Sequence, residues 1–322
     1  MNTIPIIMSF DENYAMNACV AIYSLLRSKA KDTYYHIYII IREKFSSTVL
    51  ESFDSLVKQY IGTIIEYVEI GTVLDNSTAG QHFTTDCNFR LIAADLFPNL
   101  DKCIHLDVDI VVLDDLTQMW NIDIGDNIIA GIRDINGKER FKVIKLPTWK
   151  QYVNSGVIIM NLKVIRDENI TPRFVELLDK GYFYPDQDIL NKICYDRIYH
   201  LPLKYNIYFY QVVNKKELEL IYSPDDIEDA LNNPVIIHYA GGIKPWNSSD
   251  DYAMLSYLWY QAAIESPVKY NHTKHLLKGR YDSKLKQSFY ENQVSRYRDS
   301  TAYKIGRIIL FLPRVIKKLI GR

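Results

Sequence analysis

The sequence is poor in the devices that mark several common protein classes. Its four cysteines (Cys19, Cys87, Cys103 and Cys194) are scattered, with no C-x-x-C and no His/Cys cluster. That speaks against a disulfide framework and a structural zinc site, and it fits a reducing compartment. None of the 13 glycines forms a G-x-G pair, so the dinucleotide fingerprint is missing. The nearest approach to a phosphate loop, Gly131 to Gly137-Lys138, is one residue too long and continues with Glu139 instead of Ser or Thr. The opening "MNTIPIIMSF" has no basic n-region and only a short apolar run, so it reads as a protein made and kept in the cytoplasm. There is no repeat and no low-complexity tract.

What is present is the balance of a globular protein: 322 residues, 48% hydrophobic and 24% charged. The net charge of −1 hides a split. Residues 274–322 hold 13 basic and 3 acidic residues, a net of +10, which leaves −11 on the rest. Such asymmetry points to a tail that meets something anionic.

Apolar runs alternate with helix-like stretches from the start. "IPIIMSF", "YYHIYIII" and "GTIIEYVEI" read as strands, separated by the helical "NYAMNACVAIYSLLRSK" and by "SSTVLESFDSLVKQY", which a Ser cap opens. "NFRLIAADLFP" reads as a helix stopped by Pro98. "NIIAGI" and "YVNSGVIIMNL" read as further strands, "TPRFVELLDKG" and "DQDILNKICYD" as helices, and "GKERFKVIKLPTW" as a loop or excursion. The alternation predicts an α/β fold, a mostly parallel sheet with helices on both faces and ligands at the carboxyl ends of its strands. After about Asp250 the rhythm gives way to helical, increasingly basic sequence.

Three stretches carry chemistry. In "DKCIHLDVDIVVLDDL" six apolar residues frame Asp107 and Asp109, and burying charge is costly unless something pairs with it. Residues i and i+2 of a strand share a face, so the two carboxylates can converge on one hard cation. The spacing alone fits two solvated acids equally well, since Asp186-Gln187-Asp188 shares it. In "HYAGGIKPW", His238 ends an apolar run, Gly241 and Gly242 allow close backbone approach, and Lys244 offers a point charge. This His could complete a metal shell, with glycine amides and Lys244 holding phosphate oxygens beside it. A capping or core His before an ordinary glycine turn is the alternative. In "SFDENYAMNACV", Asp11 and Asn13 can bind a nucleoside, although helix capping is the simpler reading of both. Asn154-Ser155-Gly156 and Asp186-Gln187 would each pass alone as turn chemistry.

In this order, "SFDENYAMNACVAIYSLL", "FRLIAADLFP", "IHLDVDIVVLDDL", "YVNSGVIIMNL", "YPDQDILN" and "HYAGGIKPW" resemble the family-8 retaining glycosyltransferases, which include bacterial lipooligosaccharide galactosyl- and glucosyltransferases and glycogenin. The six motifs extend from about residue 4 to 246. The resemblance implies a GT-A type, Rossmann-like fold, a UDP-sugar donor and a divalent metal, usually manganese. It makes Asp107, Asp109 and His238 the metal ligands, Gly241 and Lys244 diphosphate contacts, and Asp11 and Asn13 uridine contacts. Arg90 matches a basic residue near the donor sugar-phosphate, and Ser9 and Val108 are counted with the donor-binding residues. Asp134, Asn154, Ser155, Asp186 and Gln187 fall where the family binds the transferred sugar. Of these, Gln187 faces the reacting carbon, with Asp186 and Asn154 in the catalytic group. Ser155 departs from the Ala common in close relatives, which touches sugar preference rather than activity.

The resemblance yields the expectation of a metal-dependent retaining hexosyltransferase. It would use UDP-galactose or UDP-glucose with Mn²⁺ or Mg²⁺, and extend a lipid-linked glycan at the inner membrane face. Residues 1–265 would form the catalytic domain and 266–322 a helical basic tail. "TAYKIGRIILFLPRVIKKLIGR" holds no acid, and its longest apolar run is too short to span a bilayer. It reads as an interfacial helix interrupted at Pro313, in preference to a packing helix with a solvated basic face. No nucleic-acid motif accompanies the charge. Acceptor contacts are expected from residues 137–150 and the region after 246. The competing readings are a sugar-1-phosphate nucleotidyltransferase, whose Gly-rich N-terminal loop is absent between Ser9 and Asn13, and a catalytically inactive UDP-sugar-binding protein.

Overall fold

The computed structural model describes residues 3–74, 85–242, 244–246 and 256–268. The strands are β1 (Thr3–Ser9), β2 (Tyr34–Ile41), β3 (Thr63–Glu69), β4 (Cys103–Leu106), β5 (Ile110–Val112), β6 (Ile129–Arg133), β7 (Val153–Met160), β8 (Ile198–His200) and β9 (Ile236–His238). Seven of them form one sheet in the order β3-β2-β1-β4-β7-β6-β8, and β5 and β9 form a separate antiparallel pair. In the large sheet only β7 runs antiparallel to its neighbours, β4 and β6.

Both faces of the sheet's centre are covered, which is why β1, β4, β6 and β7 read as nearly unbroken apolar runs. Side chains alternate across a strand, so Ile4, Ile6 and Met8 of β1 enter one core while Ile7 enters the other. The first core is closed by helix α1 (Ala15–Ser28) and helix α2 (Ser47–Gln59). In α1 eleven residues are buried, so it is a core helix and not an amphipathic one. By contrast, α2 buries only Val49, Phe53 and Leu56, a stripe at helical spacing. The expected Ser cap of α2 is there as residue Ser46, but its side chain makes no capping bond; its backbone N–H instead donates to Glu12 Oε2 at 3.2 Å. Ser24 in α1 ties the small sheet on, accepting from the Val112 amide at 2.9 Å.

The helix Ser256–Glu265 also belongs to this body. Trp259, Ala262 and Ala263 join the first core, and Glu265 takes hydrogen bonds from Tyr23 and Arg27 of α1. Among the described residues no helix is long and apolar enough to cross a membrane. The basic tail expected over 266–322 lies outside the described residues beyond Val268.

Two expectations change in detail. "NFRLIAADLFP" is not one α-helix: Thr85–Ile92 is a 3₁₀ helix, followed by one α-turn, Ala93–Leu96. The cause is tertiary, because Asn88 and Arg90 point into the protein, 0% and 2% exposed, where an α-helix would carry a polar outer face. The run 103–112 is also not one strand. β4 pairs with β1 and β7, whereas β5 leaves to pair with β9, and Asp107-Val108-Asp109 forms the break between them.

Candidate active site

That break brings three distant segments together. Across the β5–β9 pair Ile110 lies opposite His238, and the Tyr239 amide donates to the Asp109 carbonyl at 2.8 Å. On the other side the Asp107 amide donates to the Gly156 carbonyl of β7 at 2.7 Å. Val108 points its side chain into the first core, so the acids on either side of it turn away from that core. Asp107, Asp109 and His238 each present a ligand atom within 4.8 Å of the others. His238 Nε2 lies 3.1 Å from Asp109 Oδ1 and 3.8 Å from Asp107 Oδ2. The convergence thus comes from a bend and two sheet pairings, not from the alternation of a single strand.

Gly156 closes this cluster from below. A Cβ built on it would lie 2.3 Å from His238 Cε1 and 2.6 Å from Asp107 Oδ2. The backbone therefore approaches these ligand atoms as only glycine permits. Two carboxylates and one imidazole at this spacing form a hard, mixed O/N donor set that suits a divalent cation such as Mn²⁺. The residues present fit such an ion.

Arg90 joins the cluster to the neighbouring acids. Its guanidinium donates to Asp107 Oδ1 and the Ser155 carbonyl, both at 2.6 Å, and its Nε lies 3.2 Å from Asp186 Oδ2. Burial works against its charge, but Asp107 and Asp186 outweigh burial and raise its pKa. Burial pushes Asp109's carboxyl up, yet Lys244 and His238 prevail and hold it well below the usual range. Lys244 Nζ donates to Asp109 Oδ2 and to the Tyr239 carbonyl. Gly241, at φ +95°, supplies the turn that returns the chain to Lys244.

Gln187 sits in the first turn of the helix Pro185–Cys194, and its amide is fully engaged. Its Oε1 accepts from Asn154 Nδ2 and the Ser155 amide, each at 3.0 Å, with the Ser155 hydroxyl at 3.4 Å. Its Nε2 donates to Asp134 Oδ2 at 3.2 Å and to Tyr152 Oη at 3.1 Å. Burial raises the pKa of Asp134 and of Asp186, opposed at Asp134 by hydrogen-bond donors and at Asp186 chiefly by Arg90.

The residues singled out in the sequence thus fall into two groups. Asp107, Asp109, His238, Lys244, Arg90, Asp186, Ser155, Asn154, Gln187 and Asp134 share one contiguous network. Asp11 and Asn13 are not part of it among the described residues. Asp11 caps the 3₁₀ turn Glu12–Tyr14, accepting from the Tyr14 amide at 3.2 Å, and Asn13 is exposed on that turn. Ser9 ends β1 with a buried hydroxyl that has no partner among the described residues. Sequence reasoning passed over Asn206, Tyr152 and Arg140, and took Asp188 only as a match in spacing. Fully buried Asp188 accepts from Arg140 at 2.6 and 3.1 Å and from Tyr152 at 2.7 Å. The sequence signal for Asn206 is its place inside "KYNIY", too ordinary to notice.

Acids, a histidine and a lysine gathered at the strand ends of a mostly parallel sheet stand where open α/β proteins bind their ligands. The fold is shared with solved structures. The galactosyltransferase LgtC, in complex with donor and acceptor sugar analogs, superposes with a TM-score of 0.70 at 23% identity, covering 82% of this chain and 96% of that one. The WbbM bifunctional glycosyltransferase gives a TM-score of 0.72 at 24% identity over 85% of this chain, which spans about half (51%) of WbbM. In sequence the chain is 27% identical to General stress protein A of Bacillus subtilis, covering 76% of this chain and 87% of that protein. It is 27% identical to a lipopolysaccharide 1,2-glucosyltransferase of Escherichia coli (83% and 84% covered) and 26% identical to a lipopolysaccharide 1,3-galactosyltransferase of Salmonella typhimurium (89% and 87%). Glycosyl transferase family 8 matches residues 5–250, and the chain belongs to that family.

Proposed function

We propose that this glycosyltransferase is a metal-dependent, retaining hexosyltransferase that moves galactose or glucose from a UDP-sugar to a glycan acceptor on a lipid. The observation that carries the reading is the single network linking Asp107, Asp109 and His238 through Arg90 to Asp186, and through Asn154 to Gln187 and Asp134.

Asp107, Asp109 and His238 would hold Mn²⁺ or Mg²⁺, which when bound supplies Lewis-acid stabilisation to a leaving diphosphate. Lys244 and the amides around Gly241 add positive potential for the same oxygens, and Arg90 fixes Asp107 and Asp186 relative to each other. Asp134, Asn154, Ser155 and Asp186 would orient the sugar hydroxyls. Gln187 is an amide and a poor nucleophile, whereas a covalent route needs a carboxylate at that point. Front-side attack by the acceptor, with Gln187 beside the developing positive charge, suits an amide better. The basic segment 274–322 would hold the enzyme at the anionic inner membrane surface, where a lipid-linked acceptor resides.

The test is hydrolysis and transfer with UDP-galactose, UDP-glucose and UDP-N-acetylglucosamine, in Mn²⁺ and in chelator. Chelator-sensitive turnover of a UDP-hexose supports the reading and names the sugar. Metal-independent turnover, or the absence of any UDP binding, sinks it.

A further inference from the structure

An imidazole can give a cation only the ring nitrogen that carries no proton, so a histidine ligand needs its tautomer fixed. We propose that Asn206 is the positioning residue that fixes His238 in this way and that couples the cation cluster to Gln187. The proposal rests on the cation reading above.

The polarity can be followed from atoms whose roles are not adjustable. The Gly156 backbone N–H can only donate, and it donates to Asn154 Oδ1 at 3.0 Å. The Asn154 amide is therefore turned with its oxygen toward Gly156 and its Nδ2 toward Gln187. The same Asn154 oxygen accepts from Asn206 Nδ2 at 2.9 Å, which leaves Asn206 Oδ1 facing His238 Nδ1 at 2.9 Å. An amide oxygen only accepts, so Nδ1 carries the ring proton. Nε2 is the nitrogen aimed at Asp109 and Asp107, so it is the one a cation would take, with Nδ1–H kept on Asn206. Flipping Asn206 would set its oxygen against the oxygen of Asn154, and flipping both would set an NH₂ against the Gly156 N–H.

The same rule works in the other direction. The Ser155 N–H donates to Gln187 Oε1, which turns Gln187 Nε2 to Asp134 and Tyr152. Two consecutive backbone amides of β7 thus set the polarity of each side chain between His238 and Gln187. Asn206 is the link between the His238 ring and Asn154. It is 0% exposed and follows the 3₁₀ turn Leu203–Tyr205, and no surface function competes for it.

Asn206→Ala removes both bonds, whereas Asn206→Asp keeps an acceptor for His238 Nδ1 and loses the donor to Asn154. Mn²⁺ affinity is measured without nucleotide, from the free-ion electron paramagnetic resonance signal. The expected result is a 10- to 100-fold weakening in Asn206→Ala, on the order seen when a histidine's outer partner is lost. Asn206→Asp should bind Mn²⁺ within about 3-fold of wild type. Its turnover of the UDP-hexose donor should nonetheless fall about 10-fold with KM little changed, because Gln187's support is cut. Long-range ¹H–¹⁵N correlation of the His238 ring in metal-free protein should show Nδ1–H, with the resonance assigned from His238→Gln. A folded Asn206→Ala that binds Mn²⁺ like wild type overturns the proposal, as does a wild-type ring that carries no proton on Nδ1. If Asn206→Ala fails to fold, the ring tautomer and the Asp variant decide. Wild type that binds no Mn²⁺ would sink the cation reading, and an Nδ1–H ring in that same protein would still uphold Asn206's role.

Discussion

The molecule contains two D-x-D triplets with opposite uses of the same letters. Asp107-Val108-Asp109 lies in a break between two strands, where the middle residue is buried and the acids turn toward His238. Asp186-Gln187-Asp188 lies in the first turn of a helix, where residues i and i+2 point about 200° apart. There the acids take separate partners, Asp186 sharing Arg90 with Asp107 and Asp188 held by Arg140, while Gln187 between them is buried with its amide engaged. The difference shows that spacing does not define a cation site. The backbone conformation decides whether two carboxylates converge; a cationic partner does not, because Asp107 and Asp109 are also paired, with Arg90 and Lys244.

Several substitutions would break or sharpen this contrast. Asp109→Ala should have the largest effect on activity, a loss of donor turnover of about 10²- to 10³-fold or more, as for removal of a principal electrostatic element. The check is steady-state hydrolysis of the UDP-hexose in saturating Mn²⁺. Gly156→Ala comes next: its Cβ would enter the space of His238 and Asp107, so Mn²⁺ affinity should fall at least 10-fold. Overpacking should also cost about 1–3 kcal/mol, seen as a lower midpoint in urea. Asp188→Asn should act on stability instead. It leaves the Arg140 charge without its buried partner at a cost of about 3–5 kcal/mol, while Mn²⁺ binding by the folded fraction stays near wild type. Gln187→Ala should lower donor turnover with little change in Mn²⁺ affinity; full transfer activity in this variant would remove Gln187 from the mechanism.

The smallest expected effect is on pH dependence. Burial raises the carboxyls of Asp134 and Asp186 in the folded protein. A raised acid holds its proton more tightly folded than unfolded, so its contribution to stability is present below its unfolded pKa and is lost as pH rises through its folded one. For activity the sign is the reverse, because the ionised forms accept the hydrogen bonds. The acid limb of the pH–rate profile should therefore begin above the ordinary carboxylate range, and Asp134→Asn should flatten it.

Much of the fold was legible because strand-length apolar runs at β1, β2 and β3 alternate with the helix-length stretches of α1 and α2. The break after Leu106 was not, because a period-2 pattern does not register a change of partner strand: β4 and β5 read alike but belong to different sheets. The antiparallel direction of β7 was hidden for the same reason, since all eight of its residues are buried. Of the site, the charged and amide residues next to strand ends could be picked out, and the structure gathers most of them. His105, two positions before Asp107, would have been the nearer histidine to choose. It is instead buried in β4 with both ring nitrogens unpartnered among the described residues, and burial followed by Arg90's charge pushes its pKa well down. Asn206, Tyr152 and Arg140 were out of reach because their partners are distant in sequence and each looks ordinary alone. Asp11 shows the converse, since the capping role that sequence physics favoured is the contact it makes.

The most direct measurement is a Mn²⁺ titration of wild type, Asp109→Asn and Asp188→Asn, each verified as folded by circular dichroism. The account predicts that Asp109→Asn loses tight Mn²⁺ binding and that Asp188→Asn retains it. Equal loss in both variants, or retention in both, would contradict the claim that only the 107–109 triplet is built to hold a cation.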